Sequence, residues 1–386
     1  MRQHFYIIIS FTAGLIANLL VVANFAAAKE QLDLSTLKVP EGFSITLYAE
    51  DVVGARSMTR SPSGVLYVGT FAKGFSNILD KVYAVIDSDG DHQSDQVITL
   101  LEGLHAPNGV AFRDGDLYVA EISRVLRYRN IEQDLHNPPE PEIVIDNLPE
   151  EFHHGWKFIR FSPKGQLYFP VGAPCNICDK GAEGYANIQR INDDGSAQEI
   201  YAEGIRNSVG FDWHPLTGEL WFTDNGGDAL GDDQPSDELN HAPVSGLHFG
   251  YPYCHQGDIL DPEFGEGKNC SDHQPPAVKL GPHVAALGFR FYTGTQFPDK
   301  YVNQPVIALH GSWNRTPEAG HTGYKVVSPH FEGSKMTQYE TLVEGWLQAD
   351  NTYWGRPVDI EPLPDGSLLI SDDHADVIYR LSYKAD

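Results

Sequence analysis

A short phrase recurs along this 386-residue chain, and its spacing limits the folds open to it. Each copy passes a Pro or charged residue, a Gly and one spacer, and ends in a strand headed by Leu; all but the first open on an apolar or aromatic residue. The copies read SPSGVLYVGT from Ser61, FRDGDLYVAE from Phe112, FSPKGQLYFPV from Phe161, WHPLTGELWFTD from Trp213 and PLPDGSLLISD from Pro362. The heading leucines are Leu66, Leu117, Leu167, Leu220 and Leu368, at intervals of 51, 50, 53 and 148 residues. The last interval is about three units long, so at least one degenerate copy is expected inside it. FPDKYVNQPVIALHG from Phe297 fits that place, with Val306 where Leu would stand.

Each copy predicts an apolar strand, a tight glycine turn and a second strand. Such a hairpin is marginal alone because one face stays wet. Repeats of ~40–50 residues with several short strands mark a β-propeller, in which radial packing buries the faces and leaves few open edges. The expectation is therefore an all-β, six-bladed β-propeller. A β-sandwich is the competing reading, but nothing in a sandwich requires such even spacing. GFSITLYAE near the N-terminus and DVIYRLSY near the C-terminus both alternate, which predicts one blade closed by strands from the two ends. No stretch has a helical period. Long polar loops at 71–81, 129–142, 173–187, 226–285 and 312–323 are expected to crowd one end of the channel. The reading is a single propeller over 29–386, with a long acidic, Cys-containing insertion at 226–285.

Acids outnumber bases 53 to 27, for a net charge of -26. That balance argues against nucleic acid, whose phosphates need Lys and Arg, and against an anionic membrane surface. It suits a chain that holds divalent cations. Arg2, the apolar run Phe5–Phe25 and the small residues Ala26–Ala28 predict a signal peptide over 1–28, with an uncleaved anchor as the alternative. After cleavage no membrane span is expected, and the chain would be periplasmic or secreted. Four cysteines, Cys175, Cys178, Cys254 and Cys270, then suggest two disulfides. Cys175–Cys178 with Cys254–Cys270 is the simplest of the three connectivities. Asp179 follows the CNIC phrase where a c-type haem site needs His.

Three phrases carry chemistry. In EFHHGWKFIRF, His154 stands just before the strand that leads into the third copy, and an imidazole there would face the channel as a proton acceptor. In EGIRNSVGFDWHP, Arg206 and Asn207 hold the matching place before the fourth copy; Arg offers a planar fork for carboxylates. In TDNGGDALGDDQPSDELN, Asn225, Gly226 and Gly227 leave a strand, and Asp237 and Glu238 follow among further acids. Carboxylates and the exposed backbone carbonyls of glycine are hard ligands that suit Ca²⁺. A fourth phrase, DSDGDHQSD, spaces Asp87, Asp89, Asp91 and Asp95 around Gly90 like the start of a calcium loop, but Ile98 stands where an EF-hand needs its twelfth-position acid. An acidic β-turn is the plain alternative.

Taken in order, HHGWKFIRF, VGAPCNIC, GIRNSVGFDWHP, DELN, HGSWNR and GRPVDIEPLPDGSL resemble the soluble quinoprotein sugar dehydrogenases, and more closely the glucose/sorbosone dehydrogenase family. The resemblance covers most of the chain after the leader. It implies a six-bladed propeller using pyrroloquinoline quinone (PQQ) and calcium to oxidise a sugar or sugar-derived aldehyde, with an external electron acceptor. It makes His154 the general base, and Arg206, Asn207, Asn225 and Arg356 cofactor contacts. Gly226 and Gly227 would hold Ca²⁺ through their carbonyls, and Asp237 and Glu238 would stand around a structural calcium. Three positions depart from the glucose-oxidising branch. Val358 replaces an Arg in R-x-R-D, His310 stands where that branch carries a Lys or Arg at the cofactor, and Gly227 replaces a Pro. Arg315 and Lys157 are the cations that could compensate.

Two other function classes compete. A calcium-dependent lactonase needs carboxylates and Asn converging on the channel axis; Glu121, Asn108, Asp224 and Asp372 are its candidate sources. A non-catalytic carbohydrate-binding propeller would present aromatics such as Trp313 and Tyr292 to a sugar ring. Fold alone does not choose among them.

Overall fold

The computed structural model describes residues 32–74, 77–333 and 335–384. The expected leader, 1–28, lies outside the described residues. Six antiparallel sheets form the blades of a propeller. Blade 1 consists of Ala55–Arg60, Leu66–Thr70, Val82–Ile86 and Gln96–Leu101. Blade 2 is Gly109–Arg113, Asp116–Ala120, Val125–Tyr128 and Glu142–Ile145. Blade 3 is Arg160–Phe161, Leu167–Val171, Asn187–Ile191 and Glu199–Glu203, extended by a parallel pairing with Leu247–His248. Blade 4 is Phe211–Trp213, Leu220–Asp224, Ser236–Ala242 and Val278–Pro282. Blade 5 is Ala286–Phe291, Pro305–Leu309, Lys325–Glu332 and Lys335–Glu344. Blade 6 is Pro357–Pro362, Leu368–Asp372 and Val377–Tyr383, with Phe43–Ala49 from the N-terminal side as its outermost strand. Phe43 lies opposite Tyr383 and Leu47 opposite Tyr379, so the ring closes as the two alternating end segments predict. Helical turns among the described residues are all short 3₁₀ turns.

The repeated glycine is explained by its backbone. Gly64, Gly115, Gly165, Gly218 and Gly366 all have positive φ, between 70° and 112°, where a side chain is strained. Blade 5 shows why its copy was hard to read. Asn303 holds the glycine place with φ 60°, a conformation Asn tolerates. The strand then opens on Pro305, opposite Phe291 as Leu368 is opposite Pro362. The leucine place is therefore Pro305, one residue before the expected Val306; proline is tolerated as the first residue of a strand.

Strand alternation builds the core. Leu117 and Val119 pack with Tyr67 and Val82 of blade 1, while Tyr118 and Ala120 pack with Ile159 and Phe169 of blade 3. The same period-2 division repeats around the ring, so each blade buries both faces against its neighbours. At ~25 cal/mol per Å², each such buried aliphatic contributes roughly 1.5–3 kcal/mol. Blades 5, 6 and 1 are also tied by buried charge. Arg290 lies 3.3 Å from Asp359 and 3.4 Å from Glu361, while Met58 N–H donates to Asp359 and Arg60 N–H to Glu361.

The stretch 226–285 is not one insertion. Ser236–Ala242 and Val278–Pro282 within it are the third and fourth strands of blade 4, so Asp237 and Glu238 sit on a blade strand. Leucine-poor and acidic, SDELNHA carries no apolar alternation to announce it. Its inward residues are buried carboxylates instead. Both predicted disulfides form, Cys175–Cys178 and Cys254–Cys270.

Candidate active site at the channel mouth

In an antiparallel blade the innermost strand starts, and the second strand ends, at the same end of the ring. His154, Arg206–Asn207 and Arg356 precede innermost strands. Asn225–Gly226–Gly227 and His310 follow second strands. All the mouth candidates therefore share one end, but the long loop 129–142 joins the third and fourth strands of blade 2 and so lies at the other end, against the expectation that the long loops crowd one mouth.

His154 is buried and holds φ 51°, a left-handed backbone that costs a non-glycine residue of order 1–3 kcal/mol. Gly172 makes room for it, since a Cβ there would lie 2.6 Å from the His154 Cβ. His154 Nδ1 is 2.9 Å from the Ala173 carbonyl, which can only accept, so Nδ1 carries the proton and Nε2 is left as a bare acceptor. Burial, then the positive charge of Arg206 and of His153, pushes the imidazole well below its ordinary value. The ring is thus neutral and ready to take a proton. His153, beside it at 4.1 Å between centroids, is exposed.

Ala173 also donates its N–H to the Arg206 carbonyl at 2.8 Å, which brings the imidazole and guanidinium loops side by side. Asp224 anchors the second loop, accepting from Arg206 N–H at 2.9 Å and Asn207 N–H at 2.6 Å. The guanidinium is already well engaged. Nε donates to Asn176 O at 2.8 Å, Nη1 to Asn225 O at 3.2 Å, and Nη2 to Asn176 Oδ1 at 2.8 Å and Asp228 Oδ2 at 2.9 Å. Four of the five N–H groups of an arginine are thus directed, and one Nη1 N–H remains for a ligand. The Asn207 side chain makes no hydrogen bond among the described residues, and the buried Asn225 Oδ1 has no partner.

Gly226 and Gly227 form a ledge beside this fork. Asp237 holds it, accepting from Gly226 N–H at 2.7 Å and from Ala285 N–H at 2.6 Å, so both carboxylate oxygens already serve the backbone. Among the described residues the carbonyls of Gly226 and Gly227 accept no hydrogen bond. Glu238 lies opposite Asp224 in the blade and accepts from Asn240 Nδ2 at 2.9 Å. Burial, then the charge of Asp224, pushes the Glu238 carboxyl up to about 8, and burial pushes Asp224 up to about 7. With Tyr251, His255 and the two glycines they line a cavity of about 20 Å³, room for one ion or water. A roomier groove, about 600 Å³, runs along Lys38, Tyr324, Tyr339 and Leu347 and shares none of these residues.

His310 and Arg356 belong to a separate cluster across the mouth. His310 Nε2 donates to Asp373 at 2.8 Å, and Asp373 is also paired with Arg56 at 2.8 Å. Burial and the charge of Arg356 push His310 down to about 4, so at neutral pH it supplies no positive charge. Arg356 donates to the carbonyls of His310 and Gly311 at 3.2 and 2.7 Å. Arg315, one of the two compensating cations, is turned away towards Asp232, Asp233 and Gly320. Lys157, the other, is fully buried, donates to the Gly155 carbonyl and is pushed down to about 7 by burial.

The loop Asp87–Asp95 joins the third and fourth strands of blade 1 and so lies at the opposite end of the ring. One carboxylate oxygen each from Asp87, Asp89 and Asp95 falls within 4.8 Å of the others, whereas Asp91 accepts from Gln93 N–H. The lactonase candidates do not offer free carboxylates. Glu121 is taken up by His105 N–H and Arg124, Asp372 by His374 N–H, Ala375 N–H and Tyr379 Oη, and Asn108 by Arg56 and the Lys157 carbonyl. Tyr292 is wholly buried with its hydroxyl on Gly366 O, while Trp313 stands 58% exposed. Sequence reasoning passed over Asn176 and His255, and counted Asp228 only among the acids of the calcium phrase, whereas it is the counter-charge of Arg206. Only the CNIC phrase and the density of polar residues around it could have drawn attention to them.

Comparisons with known proteins bear on the fold and the family. A family model described as glucose/sorbosone dehydrogenase matches residues 121–312, and one described as TrAA12-like matches 259–384. An uncharacterized protein of Borreliella burgdorferi is 31% identical over 385 residues, covering 96% of this chain and 97% of that protein. Aldose sugar dehydrogenase YliI of Escherichia coli is 25% identical over 190 residues, 48% of this chain and 44% of that enzyme. Among solved structures, the calcium structure of the Trichoderma reesei family AA12 enzyme superposes with a TM-score of 0.78 at 19% identity, over 93% of this chain and all of that one. The holo PQQ domain of Coprinopsis cinerea pyranose dehydrogenase gives 0.71 at 17% identity, over 90% and 97%. These likenesses bear on the fold. On the family match over the mouth-bearing blades and the near full-length relative, the chain belongs to the glucose/sorbosone dehydrogenase family.

Proposed function

We propose that this protein is an exported sugar dehydrogenase that oxidises a sugar or sugar-derived aldehyde with PQQ and Ca²⁺ bound at the channel mouth. The observation that carries the reading is the neutral His154. Its Nδ1–H is fixed on Ala173 O and its Nε2 is bare, beside Arg206 and the uncapped carbonyls of Gly226 and Gly227. The residues present fit the two groups. The glycine carbonyls are oxygen donors of the kind calcium prefers. Arg206 keeps one N–H, and Asn207 and Asn225 keep unused amide atoms, for a polyanionic planar cofactor. When bound, PQQ supplies a two-electron acceptor and calcium the Lewis acidity that favours reduction.

The chain's own work is positional and acid–base. His154 Nε2 takes the proton of the sugar hydroxyl as the carbon beneath it is oxidised. The Ala173 carbonyl stabilises the imidazolium that forms, through Nδ1–H. Arg206 and Asn207 would hold the cofactor at the mouth. Glu238 would be the carboxylate open to a second cation in the small cavity behind the ledge. Electrons then pass to an external acceptor. The test is dye reduction by the apoprotein supplied with PQQ and Ca²⁺ across an aldose panel. Turnover that is lost in His154→Ala supports the reading. Lactone hydrolysis without PQQ, or no turnover with any aldose, overturns it.

A further inference from the structure

We propose that the four-residue ring closed by the Cys175–Cys178 disulfide is a positioning clamp for Arg206, acting through Asn176 inside it. The clamp's purpose rests on the cofactor reading above; its mechanics rest on the residues alone. Asn176 commits its carbonyl and both ends of its side-chain amide to this one corner. Its carbonyl accepts from Arg206 Nε at 2.8 Å, its Oδ1 accepts from Arg206 Nη2 at 2.8 Å and from Asp228 N–H at 2.8 Å, and its Nδ2 donates to Asp228 O at 2.9 Å. The backbone and side chain of one residue therefore grip two edges of the same guanidinium. That is possible only if both are held in one orientation, and an open loop would average it away. The disulfide supplies the restraint, since Asn176 and Ile177 are the only residues between the bridged cysteines.

Neighbours lock the ring further. The Tyr251 hydroxyl accepts from Cys178 N–H at 2.9 Å and donates to Asn176 O at 3.4 Å. Ile177 packs with Ala173 and Tyr251, the first of which holds the His154 imidazole. A Cβ on Gly227 would stand 3.1 Å from Ile177 Cδ1, so the same ring also roofs the glycine ledge. One small loop thus fixes the guanidinium, the Asp228 counter-charge and the ledge together. Preorganised donors of this kind lose little on binding, whereas a mobile arginine must first be ordered.

The experiment measures PQQ affinity, by fluorescence quenching in Ca²⁺ buffer, for wild type, Asn176→Ala, Cys175→Ser/Cys178→Ser and the triple variant. Hydrogen exchange of peptides spanning 203–208 and 224–229 is followed in parallel without cofactor. The clamp predicts that Asn176→Ala and the serine pair each weaken binding about 10- to 100-fold. It predicts that the triple variant is no worse than the weaker of the two, and that exchange rises in both peptides. Because Asn176→Ala keeps the disulfide, lost affinity there reports the contact rather than general loosening. Unchanged affinity in Asn176→Ala and the serine pair overturns the clamp, as does a triple variant in which the two losses multiply. If wild type itself binds no PQQ, the cofactor reading fails instead. The exchange data then decide the clamp alone, with faster exchange supporting it and unchanged exchange overturning it.

Discussion

Replacing His154 with Asn tests the base by two independent routes. Asn tolerates the left-handed backbone at this position, and its Nδ2 can still donate to Ala173 O, so the fold is kept while the acceptor nitrogen is lost. Because burial and Arg206 push the folded imidazole well below 6.5, protons bind the unfolded state first as pH falls. Stability from His154 is therefore complete above pH ~6.5 and is lost as pH drops towards the folded value. The loss approaches 1.4 kcal/mol per pH unit. Between pH ~7.5 and ~5.5, wild type is expected to lose about 1.4 kcal/mol more than His154→Asn. Urea unfolding of both proteins at the two pH values reads this difference, and other histidines cancel in it. The same variant is expected to lose ~10²–10⁴ in kcat/KM, and wild-type kcat/KM is expected to show no acid limb near pH 6.5. Equal pH dependence in the two proteins, or a wild-type limb at pH 6.5, would refute the neutral, proton-accepting His154.

Three further outcomes follow from the same structure. Calcium is expected to raise the Tm of wild type more than that of Glu238→Gln, which keeps the Gly226 and Gly227 carbonyls but loses the buried charge of the small cavity behind the ledge; differential scanning fluorimetry with and without chelator checks it. Lys157→Met is expected to be more stable than wild type at pH 7. The gap should narrow towards pH 10, since the buried amine is pushed down from 10.5 to about 7 and the wild type recovers stability as the unfolded lysine also deprotonates; urea titrations at both pH values check this. Arg290→Met leaves Asp359 buried without its cation and Glu361 with only the more distant Arg160, and is expected to cost about 3–5 kcal/mol, read as a shift in the denaturant midpoint at unchanged m-value.

Much of the ring was legible because its glycines answer a backbone demand. A positive φ two residues ahead of each second strand leaves a mark in sequence, and period-2 alternation follows it. The mark faded where Asn303 met the same demand without being glycine. Blade 4's third strand was hidden for another reason: SDELNHA buries carboxylates that serve the ledge, so the alternation that reveals a strand is absent. At the mouth, positions were readable from their place before or after a repeat. Hydrogen-bond allegiance was not. His310 stands by sequence at a cofactor-contact place where the family carries a cation, yet Asp373 and Arg56, far away in sequence, draw it into another cluster. Asn176 was passed over because its role depends on a ring closure and on three partners that the chain brings together only on folding.

The most direct measurement is an experimental structure of the protein equilibrated with PQQ and Ca²⁺. The quinone should rest over the mouth against Arg206 and Asn207, with a cation on the Gly226 and Gly227 carbonyls and His154 Nε2 facing open space above the ring. Density for the cofactor at the other end of the channel, along the groove by Tyr339, or nowhere on the protein would contradict it.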